Sequence, residues 1–384
     1  MDFDLSDEQK QLVETVQSFV KKQSPLSRLR ALREDPTGWS RDAWRQMGEL
    51  GWISISLPES VGGLGGSFID AALILEQLGT TLVPEPMIPT LTAAAAIVRA
   101  GTEEQATRLL APALAGEGSL ALAAAEAQSR FDVADVATKA ERAGSGYRIT
   151  GEKVWVLNGH AADTIVVSAR TAGGPRDREG ISLFAVDRNA PGLEVQPVKT
   201  MDSHHAGLLR FKGVEVGEEQ RLGAEGGALA ALEYAADLGA AAACAEGLGV
   251  INTALQMTVE YLKTREQFGV KIGSFQALQH RAVDMFIEAE LCRSMMILAA
   301  LKVADADEEE RKTAISAAKV QLAWGGRQVT QQAIQLHGGV GVTDEHDIAL
   351  YFKRMHVLNA LFGDEDTHLT RYARSPLFTA NVGA

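Results

Sequence analysis

Two long helical patterns meet at Tyr261–His280, and that junction restricts the possible folds more than any other stretch of the chain. Residues 226–264 are rich in Ala and Leu, the composition of a buried helix. From Ser274 an apolar pattern restarts at Phe275, Leu278, Ala282, Val283 and Phe286 with helical spacing. Gly269 and Gly273 break the helix between the two patterns. Arg265 stands just before the break as a fixed cation in apolar surroundings. Its guanidinium suits either a salt bridge tying two helices together or a bidentate grip on a phosphate or carboxylate.

At 384 residues the chain has room for two or three domains and a large core. Aromatics are sparse at 6% while Ala and Gly abound, which suits closely packed helices. A formal net charge of −13 argues against a nucleic-acid backbone as the main partner, since that binding is dominated by cationic contacts. A local basic pocket for a phosphorylated ligand stays compatible with it. Cys244 and Cys292 fall inside apolar helical patterns and read as buried free thiols, consistent with a reducing cytoplasm. The acidic start MDFDLSDEQ lacks the basic and apolar segments of a signal peptide. No stretch is expected to reach the length and apolar purity of a membrane span, because Asp237 and Glu246 interrupt the Ala-rich run.

Three regions follow from the order of periodicities. Ser6-Asp-Glu-Gln9 is a capping box that opens a helix with Leu12, Val13, Val16, Phe19 and Val20 on one stripe. A second helix starts near Ser40 and is expected to bury Trp44, Met47 and Leu50. The glycine-rich Gly62–Gly66 lacks the Lys and Ser/Thr of a phosphate loop and reads as a turn before a helix capped by Ser67. Helical patterns then cover 67–78, 88–100 and 103–113, the last opened by the capping box Thr102-Glu-Glu-Gln105. Short apolar runs replace them at 147–158, 164–168, 181–186, 193–198, 208–211 and 214–216, separated by Gly, Pro and Asp turns. That spacing predicts an antiparallel barrel or sandwich. Helices return over about 226–264, 275–303, 309–334 and 344–360 and predict a four-helix bundle. The acidic run Asp305–Glu310 reads as a connector, and the Pro- and Gly-containing C-terminal tail is expected to fray. The expected class is α+β: residues 1–115 helical, 116–225 an antiparallel β domain, and 226–384 a bundle.

Self-contained catalytic motifs are missing. There is no HExxH, CxxC, GxSxG or P-loop, and the His and Cys residues lack metal-ligand spacing, so no metal is expected. The adjacent His204 and His205 make a poor metal pair. Trp155 suits either core packing or the lining of a flat aromatic ligand. Gln335-Leu-His-Gly-Gly-Val-Gly341 ends a helix in a glycine cluster, which permits close backbone approach and exposes amides to an anionic or flat ligand.

Several of these segments together resemble the acyl-CoA dehydrogenase family. They are Leu50-Gly-Trp-Ile53 with Pro58-Glu59 and Gly62–Gly65, the strand Lys153–Asn158, Arg265-Glu-Gln-Phe-Gly269 with Phe275-Gln276, and Gln335–Gly341. The resemblance spans nearly the whole chain. It implies an N-terminal helical domain, a β domain and a C-terminal four-helix bundle, with FAD as cofactor and an acyl-CoA thioester as substrate. It matches Arg265, Phe268, Gln276, Gln335, Gly338 and Gly339 to positions that hold the adenosine and pyrophosphate of FAD across a subunit interface. Trp155 and Asn158 match the strand beside the isoalloxazine ring. The reaction so implied removes an α proton while hydride leaves the β carbon for the flavin, and it needs a carboxylate base.

The base is where the chain departs from the family. Aligned on Gly363, the usual glutamate position holds Phe362, and the alternative position on the first bundle helix holds Gly239, next to Ala240. The positions after the glycine carry Asp364 and Asp366, whose carboxylates would repel a pyrophosphate. The loop Ala125-Glu-Ala-Gln-Ser-Arg130 replaces a Thr-Glu-Pro segment. Glu246, Asp364 and Glu365, with Asp237, are the acids left as substitutes. The Phe-Gly-Asp-x-x-x-His loop and Leu278-Gln-His-Arg281 are similar to the small, base-less subunits of heteromeric bacterial enzymes of the pimeloyl-CoA or sterol side-chain type.

The expectation is therefore an FAD-associated subunit of a cytoplasmic heterotetramer, α2β2 with a homologous base-containing partner. It would be a flavoprotein oxidoreductase of fatty acid metabolism or steroid side-chain degradation with weak or no activity alone. A self-sufficient dehydrogenase with a displaced acid and a non-catalytic acyl-CoA-binding or scaffold subunit are the alternatives.

Overall fold

A computed structural model describes residues 4–304, 307–376 and 378 of the chain. Asp305 and Ala306 of the acidic connector, and residues 379–384 of the tail, lie outside the described residues. The N-terminal helices are α1 (Asp7–Gln23), α2 (Leu26–Leu32), α3 (Arg41–Glu49), α4 (Phe68–Thr80), α5 (Met87–Ala100) and α6 (Glu103–Leu114). Both capping boxes form: Ser6 Oγ accepts from the Gln9 amide at 3.2 Å, and Thr102 Oγ1 accepts from the Gln105 amide at 3.2 Å. Trp44 and Met47 of α3 are buried as expected, but Leu50 is 45% exposed. The helix ends at Glu49, so Leu50 leaves the buried face.

The strands are β1 (Leu120–Ala123), β2 (Lys139–Ala143), β3 (Gly146–Leu157), β4 (Thr164–Arg170), β5 (Ile181–Asp187), β6 (Leu193–Lys199), β7 (His205–Gly217) and β8 (Arg221–Leu222). Seven of them run in the order β6-β7-β3-β2-β4-β5-β8, with β1 beside β4. The sheet is antiparallel except at β1–β4 and at the single β2–β4 pairing, which are parallel. Its core gathers Tyr147, Ile149, Ile165, Val167, Phe184, Leu209, Phe211 and Val214 from alternate positions of neighbouring strands. The two runs expected at 208–211 and 214–216 are one strand, β7. The register between Ile149 and Thr150 of β3 shifts opposite Gly213, whose φ of +71° supplies the bulge.

The remaining helices are α7 (Leu229–Thr264), α8 (Gln276–Lys302), α9 (Glu308–Gln321), α10 (Arg327–His337), α11 (Ile348–Ala360) and α12 (Glu365–Ala373). A two-stranded hairpin, β9 (Glu266–Gln267) and β10 (Val270–Lys271), joins α7 to α8. The pattern at 309–334 is two helices joined by a π-helical turn at Leu322–Gly326. A Cβ on Gly325 would lie 2.7 Å from Cys292 Sγ, and one on Gly326 would lie 2.4 Å from Met355 Sδ, so this turn is packed to the backbone.

Backbone proximity divides the chain into two units: the described residues of Met1–Ala31, Phe68–Val83 and Ala240–Ala384, and those of Leu32–Ser67 and Pro84–Gly239. In the first unit α7 crosses α4 backbone against backbone. A Cβ on Gly249 would sit 1.9 Å from the Glu76 carbonyl oxygen, and one on Gly79 would sit 2.3 Å from that of Glu246. α7 is also long and apolar enough to cross a membrane by length and composition, contrary to the expectation from Asp237 and Glu246. Of its most apolar window, 83% is buried inside the fold, as in the core helix of a soluble protein. Cys244 and Cys292 are free and buried, and burial pushes both thiols up to about 12.

Candidate functional site

In the first unit, the β9–β10 hairpin lifts Arg265 and Phe268 away from the bundle. Phe268 and Gly269 at its tip have φ of +56° and +80°, the left-handed pair that a tight two-residue hairpin needs. Phe268 is 90% exposed and meets Phe275 edge to face, ring centroids 6.2 Å apart. Arg265 is exposed, and its backbone is held by its amide donating to Tyr261 O and its carbonyl accepting from Ile272 N. Among the described residues its guanidinium has neither a hydrogen bond nor an ion pair, so the interhelical salt bridge is not formed. Gln276 opens α8 and Gln335 lies in the last turn of α10, both exposed. Gly338 ends α10 with φ of +63°, and a Cβ on Gly338 or Gly339 would meet nothing within 4 Å. Packing within the chain therefore leaves this glycine pair open.

The acids proposed as substitute bases are all engaged. Glu246 and Arg354 are buried and form a bidentate pair, Nε to Oε1 at 2.6 Å and Nη2 to Oε2 at 2.9 Å. Asp364 caps α12, accepting from the Thr367 amide at 2.9 Å and its hydroxyl at 2.6 Å. Glu365 accepts from the Trp324 indole and from Arg327 at 2.9 Å. Trp324 projects from the π-helical turn, and neither it nor Arg327 was visible as a partner because helical periodicity hides a π insertion. Asp366 is exposed, while Asp237 and Gly239 are buried within α7.

Phe362 and Gly363 stand in left-handed backbone conformations, φ +57° and +116°. Buried groups fix this loop from below. Lys319 Nζ donates to the carbonyls of Leu358 at 2.8 Å and Asn359 at 3.3 Å, capping α11, and burial pulls its pKa down to about 8. His368 Nε2 donates to the Phe362 carbonyl at 3.0 Å, and its Nδ1 lies 3.3 Å from Ser316 Oγ. Burial, with the nearby Lys319 and Arg371 charges, pushes the imidazole down to about 3.

That folded value lies below the unfolded one, so the neutral ring stabilises the fold fully above pH ~6.5. The contribution is lost as pH falls from there toward the folded value. The melting temperature should drop between about pH 7 and pH 4, and His368→Asn should flatten that slope. A variant with the parent slope rejects His368 as its source.

In the second unit, Trp155 and Asn158 lie at the end of β3 with φ of +51° and +57°. A bulge between Lys153 and Val156 turns the Trp155 indole outward, 60% exposed. Asn158 does not present its side chain. The amide accepts from Trp39 Nε1 at 3.1 Å and donates to Ser119 Oγ at 3.1 Å and Leu120 O at 3.3 Å.

Glu126 and Lys153 form a buried pair at 2.7 Å that sequence reasoning passed over, although a lone lysine in an apolar strand was its signal. Lys153 also donates to Ser168 Oγ at 2.8 Å, and Glu126 accepts the amides of Ala137 and Thr138. Burial pushes the Glu126 carboxyl upward, but the Lys153 ammonium and these hydrogen bonds prevail and hold it at about 2. The pair fixes the loop that begins at Ala125. His204 and His205 belong to no metal-ligand cluster among the described residues.

Three family models match the chain: acyl-CoA dehydrogenase N-terminal domain over residues 6–117, middle domain over 121–214, and C-terminal domain over 226–377. The acyl-CoA dehydrogenase IpdE2 of Mycolicibacterium smegmatis is 30% identical over 368 residues, 96% of this chain and 98% of that protein. Among solved structures, a variant of the Tcur3481-Tcur3483 steroid ACAD aligns with a TM-score of 0.86 at 32% identity, covering 98% of this chain and 99% of that one. The ChsE4-ChsE5 complex from Mycobacterium tuberculosis aligns with a TM-score of 0.87 at 29% identity, covering 97% and 98%.

Proposed function

This chain belongs to the acyl-CoA dehydrogenase family, and from that premise we propose that it is an FAD-associated subunit of a heteromeric acyl-CoA dehydrogenase whose catalytic carboxylate comes from a homologous partner. The observation that carries this reading is Phe362 at the position of the family's base, with every nearby acid candidate already committed. Glu246 is bound to Arg354, Asp364 to the α12 amides, and Glu365 to Arg327. A base must be free to reach the α proton of the thioester, and none of these is.

FAD is the cofactor, as in solved relatives of the same fold. The residues on the hairpin and at the end of α10 fit it. A guanidinium without an internal partner, an aromatic ring 90% exposed and two glycines with open space above them are suited to a dinucleotide's pyrophosphate and adenine. When bound, the flavin supplies hydride acceptance. Arg265 would balance the pyrophosphate charge, Phe268 would cover apolar surface, and the amides beyond Gly338 would be approachable without a side chain in the way. In the second unit Trp155 offers a flat apolar face, and Asn158 serves by holding the turn beneath it.

A partner is further supported by α8. Val283, Phe286, Ile287 and Leu291 fall at helical spacing on one stripe, and each is about half exposed. A row of this kind on a single helix is suited to burial against another subunit. None of the apolar pattern that restarts at Phe275 lies in the core: Phe275, Val283 and Phe286 are exposed and Leu278 and Ala282 half-buried, while Met285, Ala289, Cys292 and Met296 form the buried face of α8. The Tcur3481-Tcur3483 and ChsE4-ChsE5 structures pair two chains by name, and we propose a pairing of two different chains here, with α2β2 as the stoichiometry of this protein's assembly.

The test is anaerobic mixing of the purified chain with FAD and a panel of acyl-CoAs. The chain alone should leave the flavin oxidised, and addition of a base-containing homologue should produce acyl-CoA-dependent bleaching. Rapid bleaching by the chain alone overturns the reading.

A further inference from the structure

Three aromatic rings lie beneath the residues assigned to the cofactor, and each comes from a different segment of the first unit. Tyr261 is in the last turn of α7, His337 is the last residue of α10, and His346 precedes α11. Tyr261 and His337 are stacked, centroids 4.4 Å apart and planes 27° apart. His346 tilts against His337 at 4.7 Å and meets Tyr261 edge-on at 6.4 Å.

Both histidine rings are oriented by something besides the stack, and the tyrosine is tied to the hairpin through its backbone. His337 is buried and donates Nδ1–H to the Ala333 carbonyl at 2.7 Å, which fixes both ring and tautomer. His346 Nδ1 accepts the Ile348 amide at 3.2 Å. Tyr261 is locked to the hairpin because its carbonyl accepts the Arg265 amide at 2.8 Å. The acidic neighbours are held from outside. Arg30 of α2 reaches Asp347 at 2.9 Å and the Asp344 carbonyl at 2.5 Å, while Lys353 reaches Asp344 at 3.4 Å.

Without these contacts the Arg265 hairpin and the Gln335–Gly339 turn are connected through the bodies of their helices. The hairpin joins α7 to α8, whose Arg281 Nη1 donates to Gln332 Oε1 of α10 at 3.4 Å. The turn folds back on α10, where a Cβ on Gly341 would meet Ile334 O at 2.6 Å and His337 Cβ at 3.0 Å. The stack joins the end of α7, where the hairpin begins, directly to the end of α10, where the turn begins. We propose that Tyr261 and His337, braced by His346, are positioning residues that hold Arg265 and the Gly338–Gly339 backbone at one spacing, so that the two act as a single anion-binding surface toward the pyrophosphate. This inference rests on the assignment of Arg265 to FAD. The rings themselves touch no cofactor in this scheme. They remove the freedom of two segments to drift apart, and so lower the ordering cost of binding.

The experiment is a fluorescence titration of the FAD-stripped assembly, this chain with its base-containing homologue, with FAD. Arg265→Ala should raise the FAD Kd by roughly 10-fold or more, as for loss of a charge-assisted hydrogen-bonding group. Tyr261→Leu should raise it by roughly 2- to 12-fold, the range of one aromatic pair, and Tyr261→Phe should stay near the parent. The double variant Tyr261→Leu/Arg265→Ala should be no weaker than Arg265→Ala alone, because a residue acting through another has nothing left to act on. If Tyr261→Leu does not fold, His346→Ala gives the same cycle from the other edge of the stack. Full additivity with Arg265→Ala, or an unchanged Kd in Tyr261→Leu, overturns the proposal while leaving Arg265 in place. An unchanged Kd in Arg265→Ala rejects the assignment of Arg265 and this inference with it.

Discussion

Glu246→Ala is expected to destabilise the chain by about 3–5 kcal/mol, read as a drop in urea midpoint with little change in slope. The reason is geometric. Both oxygens of Glu246 are taken by Arg354, both side chains are buried, and removal of the acid takes the bidentate carboxylate away from a buried guanidinium. Replacing the two together, as Glu246→Leu/Arg354→Met, should cost far less and approach the parent, since the desolvation of both charges is removed as well. The same variants separate two roles for the acid. A structural Glu246 predicts that the double variant, once assembled, retains turnover. A folded and assembled double variant without turnover would instead make Glu246 the base.

Phe286→Asp on α8 is expected to weaken assembly with the partner by at least ~100-fold, combining the lost burial of an aromatic ring with the desolvation of a carboxylate. Size-exclusion chromatography with light scattering at micromolar concentration should show the heteromer replaced by smaller species. The melting temperature of the isolated chain should hardly move, because Phe286 is already half out of the fold. An assembly of unchanged mass rejects α8 as the contact face.

Much of the architecture was readable because it rests on short-range rules. Capping boxes at Ser6 and Thr102 mark helix starts within four residues, and the change from helical to alternating apolar spacing marks the sheet. Arg265 stood out for a similar reason, as a lone cation at a helix break. Distant pairing was not readable. Glu246 and Arg354 are far apart in the chain, and nothing in either neighbourhood names the other. Short elements without a long apolar period, α2, α12, β1 and β2, were also missed. Leu50 was misplaced because one residue decides whether a side chain stays on a helix face. At Leu322–Gly326 the amphipathic pattern runs straight through a turn of different pitch.

The bulge in β3 has a consequence of parity. Up to Lys153 the odd-numbered residues Tyr147, Ile149 and Lys153 face inward, and after it the inward residue is the even-numbered Val156. Trp155 is the residue at which the count slips. A regular pleat continued from Lys153 without the bulge would place Trp155, two residues on, on the same side as Lys153 and carry its indole into the sheet interior. The aromatic face is thus encoded by a residue count as much as by a residue type. An alignment that scores identities and tolerates single-residue gaps would keep the tryptophan and lose the face.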